Sequence, residues 1–105
     1  MGNGLEVQEA IRVLRGEGPE DVRDLCVALS GEMLRLAGVA SDREAGCRIA
    51  RSALDSGRGL EVFREMVRAQ GGDPRVCDDP EGVLPKARYR ETIRSPRSGV
   101  VARME

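Results

Sequence analysis

Aromatic side chains are nearly absent. The 105 residues hold one Phe, one Tyr and no Trp. A core must therefore be assembled from Leu, Val, Ile, Ala and Met. Histidine is missing altogether, which removes the commonest general base and metal ligand. Ser-His-Asp and Cys-His arrangements are thereby excluded. Lysine is reduced to Lys86; every other cation is Arg. Three cysteines, Cys26, Cys47 and Cys77, stand far apart, with no C-x-x-C pair and no His to complete a zinc site. That usage is read as a reducing, cytoplasmic compartment. No stretch approaches the roughly 18 apolar residues of a membrane helix, and Met1–Glu6 lacks the apolar run of a signal peptide. Neither a P-loop nor a dinucleotide fingerprint is present, Gly2-Asn3-Gly4 being too short for either.

What is there has the balance of a globular chain, 40% hydrophobic and 33% charged, of a size for one domain or part of one. The net charge of −1 hides an asymmetry. Residues 86–105 carry six cations and two anions, whereas residues 1–85 carry eleven cations and sixteen anions. A basic end can serve an acidic partner, but it is better read as the solvated face of a strand pair. Neither a nucleic-acid nor a membrane partner is expected.

Helical periodicity runs through the first two-thirds. Asn3 is placed as the N-cap of a helix from about Leu5 to Arg15, with Val7, Ala10, Ile11 and Leu14 as its apolar stripe and Gly16 as its terminator. Gly18-Pro19 opens a second helix, with Pro at the first helical position and Glu20 and Asp21 at its positive end. Val22, Leu25, Cys26, Leu29, Met33 and Leu36 keep helical spacing until Gly38. Val27, Ala28, Leu34 and Ala37 widen that face, so burial on more than one side is expected. Ser41-Asp42-Arg43-Glu44 reads as a capping box for a helix carrying Ala45, Ile49, Ala53 and Leu54 and broken at Gly57. A fourth helix, from about Leu60 to Ala69, is expected to bury Leu60, Phe63 and Val67 and to stop at Gly71-Gly72. Residues 73–85 are rich in Pro, a linker or an ordered extended loop. The period then switches to two: Ala87, Tyr89 and Ile93 alternate with Arg88, Arg90, Thr92 and Arg94, as in a half-buried strand. Ser95-Pro96-Arg97-Ser98-Gly99 is turn chemistry, and Val100-Val101-Ala102 begins a second strand. The fold class is thus mainly α, about four helices, followed by a short β segment.

Few groups offer chemistry. Amides at Gly2-Asn3-Gly4 could face an anion, but a plain N-cap explains them better. Asp78, Asp79 and Glu81 could attract a cation, yet lack EF-hand spacing and read as an acidic loop. Cys26 lies on the apolar stripe and reads as an inert core thiol. Met33 and Met66 read as core filler. Physics alone gives a helical domain with a β beginning and no active site.

Two motifs carry a specific resemblance. The first is Gly2-Asn3-Gly4-Leu5-Glu6-Val7 with Glu9-Ala10-Ile11, continued by Gly16-Glu17-Gly18-Pro19-Glu20-Asp21. The second is Ala69-Gln70-Gly71-Gly72-Asp73-Pro74-Arg75-Val76, running on to Asp78-Asp79-Pro80 and Leu84-Pro85-Lys86-Ala87. Glu32-Met33-Leu34 and Phe63-Arg64-Glu65-Met66-Val67 fit between them. Together they resemble the pyrimidine-nucleoside (thymidine) phosphorylase family over essentially the whole chain. Gly4 stands where that family usually has Ala, and Val100 where an aromatic often follows the turn Gly. Family members are several times longer, so the resemblance implies a middle to C-terminal part.

The resemblance further implies a pentosyl transfer: phosphate attacks the anomeric carbon of a pyrimidine nucleoside, giving free base and (deoxy)ribose 1-phosphate. Phosphate is the co-substrate, and family members are homodimers. The family's phosphate-binding and base-binding segments lie upstream of the Gly-Asn motif, so no catalytic, phosphate-binding or substrate-binding residue is carried over. One residue is: Glu9 matches a family position that helps hold a structural monovalent cation such as potassium. The implied organisation is residues 1–72 as a helical part of the large α/β phosphorylase domain, packing on a sheet of upstream strands. Residues 73–85 then form the linker, and residues 86–105 the start of the small C-terminal α/β domain. The chain alone is expected to be non-catalytic. The alternative is a stand-alone helical interaction module with a basic β tail.

Overall fold

Glycines set the lengths of the helices. The computed structural model describes residues 3–89 and 91–103. Four helices follow one another: α1 (Asn3–Leu14), α2 (Glu20–Leu36), α3 (Arg43–Asp55) and α4 (Arg58–Ala69). A 3₁₀ turn (Pro74–Cys77) and a single-turn helix α5 (Pro80–Val83) complete the ordered part. Gly16, Gly38, Gly57 and Gly71, the four terminators read from the sequence, take left-handed φ values of 77°, 72°, 74° and 78°. Gly57 serves two helices. Its N–H donates to the Leu54 carbonyl at 3.0 Å to close α3, and its carbonyl accepts from the Glu61 N–H at 3.2 Å to open α4. A side chain there would be strained by the left-handed backbone.

The helix starts differ from the sequence reading by one or two positions. Asn3 is the first residue of α1 rather than its cap. Pro19 caps α2 with φ −58° and ψ 137° instead of occupying the first helical position; it has no N–H to leave unsatisfied. Asp42, not Ser41, caps α3. Its carboxylate accepts from the Ala45 N–H at 2.8 Å, and the Ser41 hydroxyl donates to that same carboxylate at 2.9 Å. A carboxylate is the stronger acceptor and interacts more favourably with the helix dipole. These bonds, the Ala45 amide first, hold the Asp42 carboxyl below its ordinary range.

Two packing units result. In the first, α2 crosses α3 at backbone contact. Gly31 and Gly46 are both buried, and a Cβ on Gly46 would lie 2.2 Å from the Gly31 carbonyl oxygen. In the second, Ile11 of α1 meets Val76 and Cys77 of the 3₁₀ turn, with Val7, Leu60, Phe63, Val67, Val83 and Leu84 packed around them. The Pro-rich stretch expected as a linker thus carries helical turns, and its Val76, Cys77 and Pro80 are buried. Arg15 donates to the Cys77 and Asp78 carbonyls and ties α1 to this turn. Arg64 of α4 forms a two-toothed pair with Asp78, at 2.7 and 2.9 Å, the geometry in which Arg–carboxylate pairs are strongest.

That pair sets an acid response. The hydrogen bonds from Arg64 hold the Asp78 carboxyl below its ordinary range. A depressed folded-state value stabilises the fold above the unfolded carboxylate pKa of about 4, and the gain is lost as pH falls through the folded value. Asp78→Asn is therefore expected to reduce stability near neutral pH and to lose less of it on acidification than the parent. Urea midpoints from pH 7 down to 2.5 read this; parallel curves for the two proteins would contradict it.

Two expectations fail. The stripe Val22–Leu25–Cys26–Leu29–Met33–Leu36 was expected to be core, but α2 turns its opposite face, Val27, Gly31 and Leu34, to the interior. Leu25 is 60%, Met33 68% and Leu36 71% exposed, and Cys26 is exposed. The close Gly31–Gly46 crossing decides the orientation, because only that face lets the two backbones meet. Met66 is also exposed, although Phe63, Leu60 and Val67 pack as expected. The β segment is absent among the described residues: 86–89 and 91–103 form no ladder, and Ile93, placed in a half-buried strand, is 93% exposed. A two-residue period becomes a strand only against a partner, and a hairpin by itself is marginal in water. The parts of these readings that fall on Met1, Gly2, Arg90, Met104 and Glu105 lie outside the described residues. The Cα radius of gyration, 16.9 Å, exceeds the roughly 13 Å of a compact chain this long; the extended end accounts for much of the excess.

Candidate functional site

Glu9 lies on the outer side of α1, exposed. It and Glu6 stand at one end of a groove of about 650 Å³ formed between α1, α2 and α3. Ala10 and Leu14 of α1, Val22 and Met33 of α2, and Ile49 and Leu54 of α3 give the groove an apolar wall. No group of three or more Cys, Asp or Glu side chains able to hold a metal ion comes together among the described residues. Glu9 is thus a single oxygen donor at an apolar rim, whereas a monovalent cation needs several hard oxygens around it.

The other candidates are engaged in the fold. Each acid of the Asp78-Asp79-Glu81 loop has a partner. Asp78 is held by Arg64, and Asp79 accepts from the Gly82 N–H at 2.9 Å to cap α5. Glu81 accepts from the Gln8 amide at 3.0 Å and lies 3.8 Å from Arg12. The loop is a set of caps and staples, as an ordinary acidic loop should be. A cavity of about 780 Å³ does open beside Asn3 and Gly4 at the start of α1, with Lys86 on its wall. Glu81 also lines it, and a carboxylate there opposes an anion. The anion reading of Gly2 lies outside the described residues.

None of the thiols has a partner that would make it a nucleophile. Cys77 is buried, and burial pushes its pKa up, away from the reactive thiolate. Cys47 donates to the Val27 carbonyl at 3.6 Å inside the α2–α3 crossing. Cys26 is open to solvent on the apolar stripe. No described side-chain oxygen or sulfur pairs with a general base in the geometry acyl, phosphoryl or glycosyl transfer requires. The sequence reading missed Arg15 and Arg64, which hold the 3₁₀ turn to α1 and α4. Their signal is faint: both are Arg on a helix turn that also carries core residues. No helix among the described residues is long and apolar enough to cross a membrane.

The chain's relatives explain a fold with so much structure and so little chemistry. No protein-family model matches the sequence. Curated relatives do. A pyrimidine-nucleoside phosphorylase of Geobacillus stearothermophilus is 42% identical over 102 residues, 97% of this chain and 23% of the relative. Pyrimidine-nucleoside phosphorylases of Staphylococcus aureus are similar: that of strain bovine RF122 / ET3-1 is 40% identical over 104 residues, and that of strain USA300 is 39% identical. Each match covers 99% of this chain and 24% of the relative. The chain spans about a quarter of the length of the curated relatives it matches. Over nearly its whole length, this chain is a homologue of one segment of the pyrimidine-nucleoside phosphorylases.

Proposed function

We propose that the chain is a scaffold segment of a pyrimidine-nucleoside phosphorylase. The whole enzyme transfers a pentosyl group from a pyrimidine nucleoside to phosphate, releasing the free base and (deoxy)ribose 1-phosphate. The observation that carries the reading is identity near 40% sustained across 97–99% of the chain. On this reading the segment holds up a site whose phosphate and base ligands come from elsewhere in the enzyme, a cytoplasmic homodimer. Residues 1–72 belong to the large α/β domain, residues 73–85 connect, and residues 86–105 enter the small C-terminal domain.

The isolated chain is expected to catalyse no phosphorolysis. Attack by phosphate and departure of the base need preorganised donors around both. This chain has no His, one Lys, and Arg side chains that in the described part mostly serve ion pairs and carbonyls of the fold. Incubation of purified chain with thymidine or uridine and phosphate should release base at the protein-free rate. Turnover abolished by a substitution within the chain would overturn the reading.

Glu9 is proposed to contribute one oxygen to a monovalent cation in the whole enzyme. Support comes from its place just after the Gly-Asn-Gly-Leu-Glu-Val motif and its free, outward position on α1. In a full-length enzyme carrying this segment, Glu9→Gln should raise the potassium concentration needed for half-maximal activity. The substitution keeps size but removes charge. An unchanged potassium dependence would reject the role.

A further inference from the structure

The most regular apolar stripe of the sequence faces away from the molecule's own core. Val22, Leu25, Cys26, Leu29, Met33 and Leu36 fall within an arc of about 100° on α2, the width of a stripe built for burial. The residues that α2 does bury, Val27, Gly31 and Leu34, lie on the other side of the helix. The stripe continues without a break into the apolar groove between α1, α2 and α3, which shares Val22, Cys26 and Met33 with it. Exposed apolar side chains in one row at helical spacing mark an interaction surface rather than scattered exposure. The relatives supply the occupant: each matches this chain along about a quarter of its length, so three-quarters of their chain is available to cover such a face. The tail of this chain is a weaker occupant, since Tyr89, Ile93, Val100 and Val101 stay exposed themselves.

We propose that the outward stripe of α2, with the groove beside it, is the seat for the remaining part of the phosphorylase. Leu29 and Met33 are its centre, and the occupant is an apolar surface of that enzyme. The proposal rests on the reading of the chain as a phosphorylase segment and adds the surface through which the segment is held. It accounts for a helix carrying two apolar faces when only one has a partner here.

Cys26 is a reporter placed within the stripe. Alkylation by iodoacetamide, followed site by site by mass spectrometry, is compared in two proteins. One is the isolated chain. The other is a chimera in which this chain replaces the matching 102 residues of the Geobacillus stearothermophilus enzyme. Cys26 should react freely in the isolated chain and at least about tenfold more slowly in the chimera, as a thiol taken out of solvent does. Equal rates in a folded chimera would overturn the proposal. So would a dimer of the isolated chain that already protects Cys26, which would make a second copy the occupant. Should the chimera be insoluble, the chain is co-expressed with the rest of that enzyme as a separate polypeptide. Co-purification with Cys26 protected supports the seat, and no co-purification counts against it. Phosphorolysis by the chimera is read separately. Protection without activity keeps the seat and sinks the function, whereas activity with Cys26 still reactive does the reverse.

Discussion

Replacing Gly46 with alanine is expected to weaken the fold by about 2 kcal/mol, although alanine is the better helix former. Two effects compete. Ala in a helix interior is favoured over Gly by up to about 1 kcal/mol. Against that, the new Cβ would lie 2.2 Å from the Gly31 carbonyl oxygen and 3.0 Å from its Cα. Both are backbone atoms of a helix, so no rotamer change relieves the clash, and the two helices must move apart. Overpacking of this kind costs about 1–3 kcal/mol and occasionally more. Separation would also open the contact of Cys47 with the Val27 carbonyl, so the packing loss outweighs the propensity gain. Gly59→Ala is the control. Its Cβ would meet only the end of the Leu14 side chain, at 3.2 Å, so this variant should be neutral or slightly stabilising. Urea midpoints at constant m-value measure both. Gly46→Ala as stable as the parent would show that the α2–α3 crossing is looser than described.

Truncating Ile11 should cost more, about 3 kcal/mol for Ile11→Ala. Its side chain is fully buried where α1 meets the 3₁₀ turn. Removing three carbons from such a site costs the lost transfer energy plus a cavity, about 2–5 kcal/mol. The turn is short and pinned by Arg15 and Arg64, so it has little freedom to collapse into the void. Ile11→Val should lose about 1 kcal/mol. Leu29→Ala, by contrast, removes a side chain of similar size from the exposed stripe and should shift the isolated chain by no more than about 0.5 kcal/mol. If Leu29→Ala proves as damaging as Ile11→Ala, α2 faces the core with its other side and the assignment of its two faces is reversed.

The helices were legible because their boundaries are local chemistry. Gly16, Gly38, Gly57 and Gly71 stand where a left-handed residue is needed, and hydrophobic spacing filled the intervals. Which face of α2 is buried was not legible. Periodicity finds an apolar stripe but not what covers it, and the deciding contact pairs Gly31 with Gly46, two small residues on different helices that periodicity ignores. Cys26 and Met33 were misplaced with the stripe for the same reason. The cap of α3 slipped by one residue because Ser41 and Asp42 are both good caps and only the backbone angles choose between them. At Tyr89 and Ile93 the alternation is real, but a ladder is made by a partner strand, not by the alternation. Of the candidate site, only Glu9 was named. It came from likeness to a family motif, because one carboxylate on a solvated helix carries no chemical signature of its own.

The central claim is that this chain supplies structure, not chemistry, to a pyrimidine-nucleoside phosphorylase. The direct measurement is the rate of base release from thymidine and uridine by the chimera with the Geobacillus stearothermophilus enzyme, beside the isolated chain. The expected result is phosphate-dependent turnover by the chimera, with the isolated chain at background. A folded chimera with Cys26 protected but no phosphorolysis would contradict the claim, as would turnover by the isolated chain.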